Sequence, residues 1–133
     1  MKPYDRIIKV VFIVTHWLLG GEIPKNEQYS KFMSWSQLQK LKDNGWEIGS
    51  HTHKHTDLTT LDDDQLYLEM IMSRDMIKQF LNVTPTKVSY PYGKWNENVV
   101  NMATRFYKYG FGLKEIEPKG NYSIPRKLAI TRL

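Results

Sequence analysis

Two hydrophobic periods alternate along this chain. Residues 7–14 are β-branched and almost continuously apolar, the pattern of a strand covered on both faces. Polar residues with Gly20, Gly21 and Pro24 follow and predict a loop. Ser34 or Ser36 can then cap a helix running through Asn44, with Gly45 as its left-handed stop. Residues 46–49 predict a short second strand. Thr59 and Thr60 stand ahead of Asp62, Asp63 and Asp64, a cap followed by acid in a first helical turn, where the helix dipole favours it. Leu66, Met70, Ser73, Ile77 and Leu81 keep one helical stripe, so the methionines read as core filler. A third strand is predicted over 87–90 and a helix over 96–109 that ends at Gly110. Short strands are predicted over 111–113 and 128–130. This alternation predicts an α/β fold of mostly parallel strands joined by right-handed crossovers.

Composition narrows the class without changing that order. With 133 residues, 41% hydrophobic and 25% charged, residues 1–133 suit a single domain around one core. Four Trp, eight Tyr and five Phe are generous for the length, and core packing accounts for most of them. Some can line a sugar site, because aromatic faces stack on the apolar faces of pyranose rings. The absence of cysteine removes disulfides and thiolate metal sites. No run approaches the roughly 20 apolar residues of a membrane span, and the start carries no secretory pattern, so the chain as written reads as cytoplasmic. The formal charge is +5. Lys and Arg are scattered from Lys2 to Arg132 without a basic block, which fits a solvated surface and not a nucleic-acid face.

Candidate chemistry concentrates in Gly49-Ser50-His51-Thr52-His53-Lys54-His55. Imidazole is the commonest metal ligand in proteins and is largely neutral at pH 7. His51 and His55 are four apart, so a helical turn would project both toward one ion, with His53 pointing elsewhere. The alternative is a solvated polar loop. Asp62 to Asp64 lack the spaced oxygen ligands and central glycine of a calcium loop and read as helix-start electrostatics.

The run from Ser34-Trp35-Ser36-Gln37-Leu38 to Gly45-Trp46-Glu47-Ile48-Gly49-Ser50-His51-Thr52 resembles the polysaccharide deacetylase (NodB-homology, carbohydrate esterase 4) family. There a helix precedes a G-H-E-I-G-x-H-T strand and an H-[ST]-x-x-H metal motif, which His51, Thr52 and His55 fit. Ser89-Tyr90-Pro91-Tyr92-Gly93 resembles the family's third motif, in a Y-P-Y-G form, and Ile124-Pro125-Arg126 resembles a late L-P-R segment. The family's T-F-D-D-G motif, with its general base and third metal ligand, has no counterpart here, and no histidine follows His55 to match the late acid.

The resemblance implies a shortened irregular (β/α) barrel, N-terminally truncated, with its site at the C-terminal ends of the strands. It implies a divalent metal, zinc first, on His51 and His55, with His16 as a weak substitute third ligand because it follows the first strand. Tyr92 would offer its backbone N–H to an oxyanion, Gly93 would allow close approach, and Thr52, Tyr90 and Pro91 would support the site. Asp57 is the nearest carboxylate for a base, with loop capping as its alternative role. The implied activity is metal-dependent hydrolysis of the N-acetyl group of an amino-sugar polymer. A non-catalytic descendant that binds a glycan or assembles with a partner is the other reading. A missing first strand would leave a hydrophobic sheet edge, so a homo-oligomer is expected. Family members are often exported, which sets an extracytoplasmic location against the cytoplasmic reading.

Overall fold

The longer helices begin at side-chain caps, and the first strand at a β-branched run. The computed structural model describes residues 9–18, 33–115 and 126–133. The start of the first apolar run, the loop with Gly20, Gly21 and Pro24, and Ile124-Pro125 lie outside the described residues. Strand β1 is Val10–Ile13, and a single helical turn, α1, follows at Thr15–Leu18. Helix α2, Trp35–Asp43, is capped by Ser34, whose hydroxyl accepts from Gln37 N while Gln37 Oε1 accepts from Ser34 N. That reciprocal pair settles Ser34 over Ser36. Gly45, at φ +89°, turns the chain into β2, Glu47–Ser50.

Two boundaries differ from the sequence expectation. The cap of α3, Asp63–Leu81, is Asp62 itself, reciprocated by Gln65, while Thr59 and Thr60 belong to a separate 3-10 turn, Leu58–Thr60. Helix α4, Glu97–Ala103, stops well before Gly110, which lies inside β4, Tyr109–Glu115. Thr86 O draws the N–H groups of Lys108 and Tyr109 (2.7 and 3.1 Å) and pulls this segment into the sheet. Gly110 is needed there because a Cβ would collide with the Tyr90 hydroxyl. The glycine that looked like a helix stop makes room for an aromatic ring.

The sheet order is β1-β2-β3-β4-β5, with β3 at Lys87–Ser89 and β5 at Arg126–Arg132. β1 to β4 are parallel and sequential, from Val10↔Glu47 to Ser89↔Phe111, and β5 returns antiparallel along β4. Sequential parallel strands build the wall of a barrel. The curvature is visible in one contact. The Phe12 and Phe111 rings meet at 5.3 Å although β2 and β3 lie between their strands. Gly49 lies beneath the Phe12 ring, where a Cβ would come within 2.5 Å of Phe12 Cδ1.

Helix α3 ties the core together. Leu66 and Met70 pack with Val88, Tyr90, Val99 and Tyr107, while Ile77 and Leu81 pack with Ile13, Leu38 and Ile48. The predicted stripe is buried throughout, each large apolar member contributing about 1.5–3 kcal/mol by burial. Its one polar member, Ser73, shares a 2.6 Å bond with the Ser50 hydroxyl at the end of β2. The helix is thereby fixed to the strand end from which the histidines leave.

Candidate functional site

His51 still belongs to the sheet ladder, because its N–H donates to Ile13 O at 2.8 Å. Beyond it the chain turns sharply, with Thr52 at φ +66° and His55 at φ +58°. This corrects the helical-turn expectation. Two left-handed residues, not a helix, bring the His51 and His55 rings to 4.7 Å. Thr52 braces the turn: its N–H donates to Ser50 Oγ at 3.1 Å and its hydroxyl donates to His51 O at 2.6 Å.

The hydrogen bonding fixes one tautomer. His51 Nδ1 lies 2.8 Å from Ser89 O, and a carbonyl can only accept, so Nδ1 carries the proton and Nε2 keeps its lone pair. A backbone carbonyl behind one ring nitrogen is the support that metal-ligating histidines use. Burial holds the His55 pKa below the ordinary imidazole value, which favours the neutral, ligating form. Trp17 and Tyr92 pack on the His55 ring at 5.4 and 4.7 Å.

His53 turns inward. It is buried, its Nδ1 lies 2.8 Å from Thr15 Oγ1, and burial, with the charges of His16 and Lys54, lowers its pKa. Its place after β1 makes His16 a weak candidate to reach toward His51 and His55. Instead its ring lies 5.2 Å from that of His53 and its N–H donates to His53 O at 2.9 Å. His16 is therefore part of the packing of α1 against the loop. Beneath the loop lies Glu69, 7% exposed, whose Oε2 accepts from His53 N (3.0 Å) and Lys54 N (2.9 Å). Desolvation raises its pKa despite those bonds.

The second motif forms a turn over Pro91–Gly93, with Tyr92 at φ +60° and Gly93 at φ +70°. Gly93 has no room for a Cβ, which would fall 2.5 Å from Leu113 Cγ. Pro91 is buried, and the Tyr90 side chain belongs to the core, where burial pushes its phenol up to about 12. Both residues support the turn from below. His51, Ser89, Tyr92, Gly93, Gly112 and Leu113 surround an open cavity of about 290 Å³. The histidine loop and the tyrosine turn thus share one rim, as expected of segments that leave adjacent parallel strands.

Asp57 takes the capping role. Its carboxylate accepts from Thr59 N (3.0 Å) and Thr59 Oγ1 (2.7 Å) and lies 3.4 Å from Lys94 Nζ. The Thr59 hydroxyl and Lys94 hold its pKa below the usual carboxylate range, which weakens it as a base. A catalytic zinc takes three protein ligands. His51 and His55 fit two of those places by tautomer, protonation and proximity. No group of three or more His, Cys, Asp or Glu that could hold a metal occurs among the described residues. The described donor set is one short.

Sequence reasoning missed Glu69 and a buried hydroxyl network in which Ser50 and Ser73 meet and Tyr107 OH donates to Met70 O at 2.8 Å. For Glu69 a signal existed: it falls three residues after Leu66, on the buried face of α3, where an acid needs a partner.

A family model described as polysaccharide deacetylase matches residues 7–109. The peptidoglycan-N-acetylglucosamine deacetylase of Bacillus cereus is 25% identical over 103 residues, which cover 77% of this chain and 34% of that protein. The structure of the Streptococcus pyogenes deacetylase PplD in complex with acetate matches with a TM-score of 0.65 at 23% identity, over 74% of this chain and 41% of that one. Bacillus anthracis BA3943, described as a CE4 family pseudoenzyme, matches with a TM-score of 0.59 at 21% identity, over 77% of this chain and 32% of that one. These structural likenesses bear out the expected barrel-type fold. The chain spans about a third of the length of the curated relatives it matches.

Proposed function

The chain belongs to the polysaccharide deacetylase family, and on that premise we propose that its histidine rim serves the hydrolysis of the N-acetyl group of an amino-sugar polymer. The observation that carries this reading is the packing of His55 against both His51 and Tyr92, two residues that line one cavity. His51 and His55 would hold a divalent ion, zinc first, with a third donor from outside the described residues. When bound, such an ion supplies Lewis acidity toward an acetamide carbonyl and its water. Ser89 O keeps His51 in the ligating tautomer, and Thr52 fixes the turn between β2 and the loop. The Pro91–Gly93 turn would present the Tyr92 backbone N–H to the developing oxyanion, and Gly93 lets that turn close against Leu113.

One observation favours a second reading. The described donors are one short of a catalytic set, which suits a protein that binds the glycan without hydrolysing it. Calorimetry with zinc, using His51→Ala as control, separates the two when followed by an acetate-release assay on an N-acetylglucosamine oligomer. Stoichiometric binding lost in the variant, with acetate released, supports the hydrolase. No zinc binding and no acetate refutes it.

We extend the proposal to assembly. Among the described residues β1 pairs only with β2, and the proposed occupant of its other edge is a second copy of the chain. Light scattering should give a mass above the monomer; a monomeric mass at micromolar concentration refutes this part.

A further inference from the structure

Six large apolar side chains among the described residues are substantially exposed, and two of them are Tyr92, in the tyrosine turn, and Trp95, just beyond it. Trp95 is 37% exposed and yet anchored. Its indole N–H donates to Leu113 O at 3.2 Å. Its five-membered ring fills the place of a side chain at Gly112, where a Cβ would lie 2.5 Å from Trp95 Cδ1 and 2.9 Å from Nε1. Gly112 and Leu113 both line the cavity that reaches His51. Strand β4 therefore gives up a side chain beside the cavity to seat an indole whose remaining surface faces solvent. The ring's position is fixed in advance, so little orientational freedom remains to be lost when a flat apolar surface settles on it. Among the described residues no Asp, Glu, Lys or Arg lines that cavity, which suits a neutral ligand.

We propose that Trp95 is a sugar-stacking platform that receives the apolar face of a pyranose ring next to the sugar whose N-acetyl group enters the cavity. This rests on the glycan reading above and makes Trp95 a positioning residue that sets preference for an oligomer over a single sugar. The ring acts through its face, and its N–H serves only to hold it on β4.

The test is an NMR titration of the full chain with the N-acetylglucosamine monomer and tetramer. Wild type should bind the tetramer more tightly than the monomer, with intermolecular nuclear Overhauser contacts to the Trp95 ring. Trp95→Ala should weaken tetramer binding by about tenfold, one aromatic contact's worth, and leave monomer binding unchanged. Trp95→Phe should retain most of the tetramer preference. Wild-type binding with no contact to Trp95, or a tetramer affinity unchanged in Trp95→Ala, overturns the platform and leaves the glycan reading standing. Equal losses in Trp95→Phe and Trp95→Ala also overturn it, because the face would then not be the active part. If wild type binds neither sugar, both the platform and the glycan reading fail. The contact measurement uses unmodified protein, so it decides the matter even if Trp95→Ala does not fold.

Discussion

Replacing Glu69 by Ala should open the histidine loop from beneath. Oε2 is the acceptor for both His53 N and Lys54 N, at 3.0 and 2.9 Å, and the residue is 7% exposed. Removing it strands the buried His53 N–H, while water can reach the part-buried Lys54 N–H. An orphaned buried donor costs about 1–3 kcal/mol, and a hydrogen bond to a charged group contributes about 1.5–3 kcal/mol. Against this stands the relief of no longer burying a carboxylate, whose raised pKa records its unfavourable environment. The orphaned donor and the lost charged hydrogen bond outweigh that relief, so a net loss of about 2–4 kcal/mol is expected. Glu69→Gln keeps an acceptor oxygen in place and removes the charge, so it should stay within about 1 kcal/mol of wild type. Urea unfolding at pH 7 measures both, with equal m-values as the check that only stability has changed. Equal effects of the two variants, or an alanine loss under about 1 kcal/mol, would refute the claim that this carboxylate holds the loop by accepting its N–H groups.

The pH dependence has a worked sign. His53 and His55 are depressed below 6.5, so their contribution is intact above that value and is lost as pH falls through the folded values. Glu69, raised above 4.5, acts oppositely: its contribution is present below that value and is lost as pH rises through its folded value. Stability should therefore fall more steeply between about pH 7 and 5 in Glu69→Gln than in wild type, and parallel urea midpoints would contradict this. Tyr90→Phe removes a buried hydroxyl that has no hydrogen-bond partner among the described residues and should raise stability by about 1 kcal/mol in thermal unfolding. Gly110→Ala should lower stability by about 1–3 kcal/mol through collision with that hydroxyl, with part recovered in the double variant. Additive effects of the two changes would show that the hydroxyl is not what crowds Gly110. Asp57→Ala should lose about 0.5–2 kcal/mol as a removed cap. Because the Asp57 pKa is depressed below 3.8, that difference should vanish as pH falls through the folded value; a constant difference in acid would point to packing instead.

Much of the scaffold was legible because local chemistry and global fold agree. Ser34 announces α2, the acidic run from Asp62 to Asp64 announces the start of α3 though not its cap, and the 66-70-73-77-81 stripe is the core face. The site was half legible. The H-T-x-x-H spacing placed His51 and His55 together, yet the turn that joins them uses left-handed Thr52 and His55, which no residue preference announces. Gly110 misled because a glycine can end a helix or make space in a strand. Only the distant Tyr90 ring decides which, and that contact is tertiary. His16 was only a weak candidate because proximity to a strand end says nothing about which histidine of a cluster it will meet.

The two left-handed residues also bear on the order in which the molecule forms. Non-glycine residues at positive φ are held only where the surroundings over-determine them. Here the surroundings are Ser50 at the end of β2, Thr15 in α1 and Glu69 in α3. None of these holds the loop until β1, β2 and α3 have docked. The loop therefore contributes little to the folding transition state, and mutations that relax it should change the unfolding rate more than the folding rate. The imidazoles are then expected to meet late in folding, so chemistry at this rim requires β1, β2 and α3 to be docked.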